Sequence, residues 1–399
     1  MDCAKLREDI GRLERVKEAL ESKTSELSSE TSQAALREIR VACFRTDGIE
    51  DGILQEYLPD FVENNVELHN FSFGEALEGF GEGIASAQKL SDAEVLVFGR
   101  YGEVRILHTE DEKYSFGEKI EGFDGVVIDT LKLSDAEILV CGGHGQTRIL
   151  HKKNEGYSFG EKIEGFGGSG FGGSITRTLK LSNTEILVCG WGGEIRILRK
   201  EGDSYSYGER IWGFEGDIGV AQKLSDTEIL ISGQGGTGIL RLEDGEYRYD
   251  ESVDGFNGYD NATATASLKL SDTETLVCGD RGETCILYKD DSGYFFGDDL
   301  WAYESSGAIT TVQRLSDFEI MVLSDEGRAY VLQEENGDYF YNGVVVEGFD
   351  SAILTSCKLS DAEFLVGGAR GEARILRRDP VDLDDLKRAL PDISAKRNA

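Results

Sequence analysis

Residues 91–107 read SDAEVLVFGRYGEVRIL, and this stretch returns along the chain with small changes. Its anchor is a Leu-Ser-Asp/Asn triplet followed one residue later by Glu, and it occurs seven times at steps of 43 to 48 residues. The anchor leucines are Leu90, Leu133, Leu181, Leu224, Leu270, Leu315 and Leu359. A fixed period in this range is typical of repeat architectures, so the chain is a repeat protein with insertions in particular loops.

Each copy contains four short segments with strand character, named A to D in chain order. In the third copy they cover residues 175–181, 185–189, 194–199 and 205–211, with turns rich in Gly, Asp and Asn between them. Segment B (EILVC) is almost wholly apolar, as expected of a strand that is covered on both faces. The copies lack the 3.6-residue periodicity of a helical solenoid. Seven copies of four short strands predict an all-β fold, a seven-bladed β-propeller.

The order of the segments also predicts how the ring closes. The first D-type segment, FSFGE at residues 71–75, precedes the first A–B–C set, and the last set at 352–377 has no D segment after it. We therefore expect the N-terminal segment 68–77 to pair with the strand at 372–377 and complete the last blade. Such closure removes the exposed sheet edges at the two ends of the ring.

The copies resemble WD40 repeats. The pattern Ser-Asp-x-Glu-x-Leu-Val-x-Gly-x-x-Gly-Glu-x-Arg-Ile-Leu of residues 91–107 matches that family from the A–B turn through strand C, and the resemblance covers about 310 residues. The Trp-Asp dipeptide is replaced by Leu107-His108 and its counterparts, and the Gly-His start by Gly79-Phe80 and its counterparts. The family's buried Asp–His–Ser/Thr–Trp network therefore does not carry over. The resemblance implies a platform for protein partners.

The flanking segments divide the chain into three parts. We expect a helical extension and connector at 1–65, the propeller at 66–378, and a tail with a short docking helix at 379–399, where Asp379-Pro380 should end the last strand. Five apolar residues fall at heptad spacing in a predicted N-terminal α-helix over about 3–38, although Lys and Thr occupy most of the second seam. They are Leu6, Ile10, Leu13, Leu20 and Leu27. This helix either forms a coiled coil that joins copies of the chain or docks on the ring or a partner.

The charge balance narrows the classes of partner. Forty-two basic residues stand against 76 acidic ones, a net charge of −34 with His neutral. The negative electrostatic potential of such a chain repels nucleic acids and anionic membrane surfaces. It favours binding of protein partners with basic surfaces. The sequence shows neither a spanning apolar run nor a secretory leader. Its seven scattered cysteines fit a cytoplasmic protein or one in another reducing compartment.

Positions shared by all copies are expected to build the frame. A Glu follows every A–B turn (Glu94 in the first copy), and a basic residue lies two positions before the turn's Ser (Lys89 in the first copy). We interpret them as an ion pair across the A–B hairpin rather than as a ring of functional carboxylates.

Positions that differ between copies predict the binding face. The B–C turns and the D–A connections vary in size and charge, and in a propeller both lie at the same end of the ring. Large and diverse side chains at one end are what a surface for varied partners requires. The candidate partner-binding residues are Arg100, Tyr101, His144, Trp191, Gln234, Arg281, Glu326, Arg370, Phe171 and Tyr259. We therefore expect a non-catalytic scaffold or adaptor within a larger assembly.

An enzyme and a carbohydrate-binding protein are the two other functional classes to compare with the scaffold. An enzyme is disfavoured because the four histidines lack metal-site spacing and no nucleophile elbow or phosphate loop occurs, so no catalytic residue, metal or cofactor is predicted. A multivalent carbohydrate-binding propeller is the alternative, because an aromatic residue recurs at one position of strand D. Its members are Tyr114, Tyr157, Tyr205, Tyr247 and Tyr294.

Overall fold

A computed structural model describes residues 69–110, 113–153, 156–167, 173–254, 256, 262–300, 307–335 and 337–380. The described residues form seven four-stranded antiparallel sheets, each a blade of one ring. The prediction of a seven-bladed β-propeller is confirmed. The expected N-terminal helix with Leu6, Ile10, Leu13, Leu20 and Leu27, and the short C-terminal helix, lie outside the described residues.

The strands of the first four blades follow the chain order A to D. Blade 1 contains β2 (Ile84–Lys89), β3 (Glu94–Gly99), β4 (Val104–Glu110) and β5 (Lys113–Lys119). Blade 2 contains β6 (Val127–Lys132), β7 (Glu137–Gly142), β8 (Thr147–Lys153) and β9 (Gly156–Lys162). Blade 3 contains β10 (Ile175–Lys180), β11 (Glu185–Gly190), β12 (Ile195–Glu201) and β13 (Ser204–Arg210). Blade 4 contains β14 (Ile218–Lys223), β15 (Glu228–Gly233), β16 (Gly236–Glu243) and β17 (Glu246–Ser252).

The last three blades include the ring closure. Blade 5 contains β18 (Ala264–Lys269), β19 (Glu274–Gly279), β20 (Thr284–Asp290) and β21 (Gly293–Asp299). Blade 6 contains β22 (Ile309–Arg314), β23 (Glu319–Ser324), β24 (Ala329–Glu335) and β25 (Asp338–Val346). Blade 7 contains β26 (Ile353–Lys358), β27 (Glu363–Gly368), β28 (Ala373–Pro380) and β1 (His69–Phe73). Short 3-10 turns at Gly143–Gly145 and Trp191–Gly193 connect strands B and C of blades 2 and 3.

The closing strand lies where the segment order predicts it. β1 pairs antiparallel with β28, with Phe71 opposite Arg378 and Phe73 opposite Leu376. One expectation was wrong in detail, because β28 runs through Asp379 to Pro380 instead of stopping before them. Proline at the last position of a strand removes at most one ladder hydrogen bond, so the pairing tolerates it.

The hydrophobic core lies between neighbouring blades, with strand B at its centre. In β3, Val95 and Val97 pack toward blade 7, whereas Leu96 and Phe98 pack toward blade 2. All four side chains are buried. A strand that is covered on both faces needs apolar residues without alternation, and this explains the continuous apolar runs of the B segments.

The A strands pack side by side around the axis of the ring and are joined by polar contacts. Asp129 accepts hydrogen bonds from the backbone N–H (2.6 Å) and hydroxyl (2.7 Å) of Thr178 in the next blade. Burial raises the pKa of Asp129 above its ordinary value, despite the opposing effects of Arg177 and these hydrogen bonds. Arg177 donates to the carbonyl of Thr265, two blades away, at 2.7 Å. These polar contacts connect the inner strands.

The repeated basic residue of strand A does not pair with the repeated Glu, so that interpretation was wrong. Lys89 Nζ contacts Asp92 of its own A–B turn at 2.8 Å and donates to the carbonyl of Leu359 in the preceding blade. Lys180 donates in the same way to the carbonyl of Leu133 at 2.6 Å. The A–B turn places Asp92, rather than Glu94, within reach of the Lys89 side chain. The same lysine also contacts the adjacent blade.

The repeated Glu instead joins its blade to the next one. Glu137 of blade 2 accepts hydrogen bonds from Lys200 Nζ (2.6 Å) and the Tyr205 hydroxyl (3.2 Å) of blade 3. Glu228 of blade 4 is bound in the same way by Lys289 and Tyr294 of blade 5. The carboxylate thus connects neighbouring blades at these positions, whereas Glu94 and Glu185 lie near His108 and Arg199 of their own blades.

No helix among the described residues is long and apolar enough to cross a membrane.

Candidate protein-interaction face

The B–C turns and D–A connections form one end of the ring, here named the loop face. The two kinds of loop interlock across the blade boundary. The N–H of Val127, at the start of blade 2, donates to the carbonyl of Arg100 in the B–C turn of blade 1 at 2.9 Å. In the turn that carries Trp191, the N–H of Gly192 donates to Asp217 Oδ1 at the start of blade 4 at 2.9 Å. The A–B turns form the opposite end, here named the turn face.

Eight of the ten candidate residues lie in described turns on the loop face, and all eight are exposed. These residues are Arg100, Tyr101, His144, Trp191, Gln234, Arg281, Glu326 and Arg370. Tyr101 exposes 65% and Trp191 51% of its surface, although both are large aromatic residues. Phe171 and Tyr259 lie outside the described residues. The loop face thus carries exposed aromatic side chains together with charges of both signs.

Buried Gly-Phe dipeptides support the loop face from below. Phe123 is buried, and its ring packs 5.6 Å from that of Phe159 in strand D of the same blade. The preceding Gly122 has φ +123°, a conformation that a side chain would strain. Gly102 of the neighbouring turn packs so closely that a Cβ there would lie 2.1 Å from the Phe123 carbonyl. The motif that replaces Gly-His therefore fixes each connection against the preceding turn.

Buried glutamates add polar support under the turns. Glu103 is almost fully buried and contacts Arg105 Nε at 2.6 Å, and Arg105 Nη1 donates to the carbonyl of Gly117 in strand D at 3.1 Å. Glu194 and Arg196 repeat this arrangement in blade 3. The strand-C arginine is a structural link between strands C and D, so the loops rest on rigid elements.

Sequence reasoning missed two residues of the loop face. Trp212, in the connection after β13, exposes 71% of its surface. The Arg210 guanidinium lies 4.1 Å from the centre of the Trp212 ring, and its Nη2 donates to the carbonyl of Gly192 at 2.9 Å. Both residues therefore adjoin the turn that carries Trp191. The signal was present, because most copies have an acidic residue where Trp212 stands.

The turn face is less uniform than the sequence repeats suggested. Phe318, in the A–B turn of blade 6, exposes 60% of its surface where the other copies have Ala or Thr. It is the one exposed large apolar residue of the described A–B turns.

Three of the five repeated tyrosines of strand D, Tyr114, Tyr205 and Tyr294, form hydrogen bonds to a glutamate of the preceding blade. The hydroxyls of Tyr114 and Tyr294 donate to Glu363 and Glu228 of the preceding blades at 2.7 and 2.9 Å. Burial and the neighbouring Glu363 raise the pKa of Tyr114. Tyrosines used in this way weigh against the carbohydrate-binding alternative. Within the described ranges, no group of three or more His, Cys, Asp or Glu residues is arranged to hold a metal ion.

Comparison with known proteins shows the fold. No family model matches the chain, and no curated protein matches it by sequence. Among solved structures, the chain is similar to the WD40 beta propeller domain of Doa1, with a TM-score of 0.61 and 14% sequence identity. The match covers 77% of this chain and 97% of that one. The likeness shows that the protein has a divergent WD40-like propeller fold.

Proposed function

We propose that the protein is a non-catalytic scaffold that binds protein partners through the loop face and acts within a larger assembly. One observation carries the proposal. The repeats agree where they build the ring and differ where they reach the loop face, and Tyr101 and Trp191 are exposed there on interlocked turns. Aromatic residues contribute much of the binding energy of protein interfaces.

The charge of the chain supports partners with basic surfaces. A net charge of −34 attracts such partners at long range, and added salt screens that attraction. A cytoplasmic or otherwise reducing location is supported by buried cysteine thiols, such as those of Cys141 and Cys189. The N-terminal leucines at heptad spacing are proposed to add an oligomerisation or docking contact.

The test is purification of the tagged full chain from its native source under gentle conditions. We expect a defined set of partners with the wild-type chain and their loss with the double variant Tyr101→Ala/Trp191→Ala. The matched control is Phe318→Ala, which removes an exposed aromatic residue from the turn face. Recovery of the same partners with all three chains would remove the loop face from the proposal.

The N-terminal proposal has its own test. Deletion of residues 1–38 is expected to lower the oligomer size if the helix is a coiled coil, as measured by light scattering. An unchanged size would leave docking on the ring or on a partner as the role of this segment.

A further inference from the structure

One position at the end of strand D distinguishes blade 3 from its neighbours. In blades 1 and 2, a lysine pairs with a glutamate two residues later: Lys119 with Glu121 at 3.2 Å, and Lys162 with Glu164 at 3.0 Å. In blade 3 the same two positions hold Arg210 and Trp212, with the guanidinium 4.1 Å from the ring centre. A cation–π contact thus replaces an exposed ion pair. It places an exposed apolar surface where blades 1 and 2 present a carboxylate.

Trp212 lies at the loop-face end of a groove between the outer strands of blades 3 and 4. The groove has a volume of about 460 Å³, and β13 and β17 supply most of its walls. Ile211, Tyr247 and Tyr249 give it partly buried apolar surface. This volume is in the usual range for ligand-binding clefts, roughly 300–1,000 Å³. The groove is therefore large enough to accept side chains of a peptide.

The lining of this groove is less acidic than the chain as a whole. Three arginines line it against two glutamates, although the whole chain carries −34. Arg248 stands where blades 2 and 3 have Ser158 and Ser206. Its side chain is 58% exposed, and its contact with Glu246 is 3.6 Å long in open solvent. Exposed pairs of this kind are weak, so the guanidinium is available to another carboxylate.

From these observations we infer that the groove binds a peptide segment of a partner protein in which carboxylates flank an apolar side chain. The apolar side chain packs on the exposed ring of Trp212. The carboxylates pair with Arg248 and with the remaining N–H groups of Arg199, whose Nε already donates to Glu185 at 3.0 Å. Arginine suits this task because its planar fork binds carboxylates through two hydrogen bonds. Arg210 is a positioning residue, because its contacts with Trp212 and Gly192 hold the ring at the groove. The inference rests on the proposed function as a protein-binding scaffold and names a partner chemistry for one part of it.

The test uses short fluorescent peptides with a central Leu, Phe or Trp and with flanks of Asp and Glu, of Ser, or of Lys. Fluorescence anisotropy measures their binding to the full chain. We expect the acidic peptides to bind most tightly and to lose affinity as salt rises. Trp212→Glu should weaken them by about tenfold or more, and Arg248→Ser by roughly two- to fivefold, because its ion pair is exposed to solvent. Both variants restore residues that other blades carry at the same positions, so the fold is expected to tolerate them. Phe318→Ala should bind like the wild type.

Several outcomes would overturn the inference. Absence of binding by every acidic peptide would do so, as would preference for the lysine-flanked peptides or equal affinity in Trp212→Glu. Binding of an oligosaccharide panel that Trp212→Glu abolishes, without binding of acidic peptides, would assign the groove to carbohydrate. The proposed function is tested separately. If Trp212→Glu retains the native partners and Tyr101→Ala/Trp191→Ala loses them, the inference about the groove is wrong. The proposed scaffold function of the loop face would still stand.

Discussion

Lys200 of blade 3 donates a hydrogen bond to the carboxylate of Glu137 in blade 2 at 2.6 Å. The Tyr205 hydroxyl reaches the same oxygen at 3.2 Å, and the hydrogen bond to Glu137 raises the pKa of Lys200 above its ordinary value. Both partners of the carboxylate come from the following blade. The repeated Glu is thus a fastening point between blades, and the same geometry recurs at Glu228.

Removal of the cation from this contact is expected to destabilise the ring. Lys200→Met keeps the aliphatic stem but removes the ammonium group from Glu137, which retains the Tyr205 hydroxyl and the His151 ring at 3.8 Å. The expected loss is about 1–2 kcal/mol of unfolding free energy. Urea denaturation followed by fluorescence measures it. The matched control is Asp135→Asn, because Asp135 pairs with Lys132 but is almost fully exposed, and no measurable loss is expected there. Equal losses in both variants would contradict the fastening role.

The pH dependence of stability reports on the same contact at Glu228. Burial raises the pKa of this carboxyl, but the hydrogen bonds from Lys289 and Tyr294 outweigh burial, and the folded-state pKa lies below the ordinary 4.5. A lowered pKa means that the contribution is complete above pH 4.5 and is lost as the pH falls through the folded value. We expect the melting temperatures of wild type and Glu228→Gln to differ most near neutral pH and to converge below pH 4.5. A gap that widens in acid would contradict this assignment.

The sequence was sufficient for the architecture because the repeat carries the whole pattern of a blade. A strand B that is covered on both faces needs an unbroken apolar run, and Val95–Phe98 is such a run. This pattern is visible in one copy, without knowledge of the adjacent blades. The displaced D segment likewise revealed the pairing of β1 with β28. Both inferences depend only on the order of the segments and on the apolar pattern of one copy.

Contacts between blades were not predictable in the same way. Lys89 and Glu94 are close in sequence, so a hairpin pair was the simplest interpretation. Lys89 nevertheless reaches another blade, and so do Glu363 and Glu228, the counterparts of Glu94. The offset between adjacent blades decides these partners, and it does not appear in the period of the repeat. Trp212 was not predicted because it lies outside the loop tips, only two positions after the last residue of β13.

Two adjacent glycines in the turn after β11 allow backbone strain to be separated from steric overlap. Gly192 has φ +64° and open space around it, whereas Gly193 has φ +66° and a Cβ there would lie 2.1 Å from the Phe214 carbonyl. Alanine at either position costs roughly 1–2 kcal/mol for the left-handed conformation. In Gly193→Ala, the added Cβ also overlaps the Phe214 carbonyl and would push the B–C turn away from the D–A connection. We therefore expect Gly193→Ala to be clearly the less stable variant in urea denaturation, and equal stabilities would contradict the close packing of the two loops.

Thiol reactivity tests whether the cysteines are core residues. Cys141, Cys189 and Cys357 are buried, and burial raises the pKa of all three, to about 11 for Cys357. The thiolate is the reactive form, so a raised pKa and burial both slow alkylation. In a Cys3→Ser/Cys43→Ser chain at mildly alkaline pH, we expect iodoacetamide to label the native protein slowly and all remaining thiols rapidly in urea. Mass spectrometry counts the labels. Rapid labelling of any core cysteine before unfolding would show that its blade boundary opens, and that the blades are fastened less firmly than the contacts at Glu137 and Glu228 require.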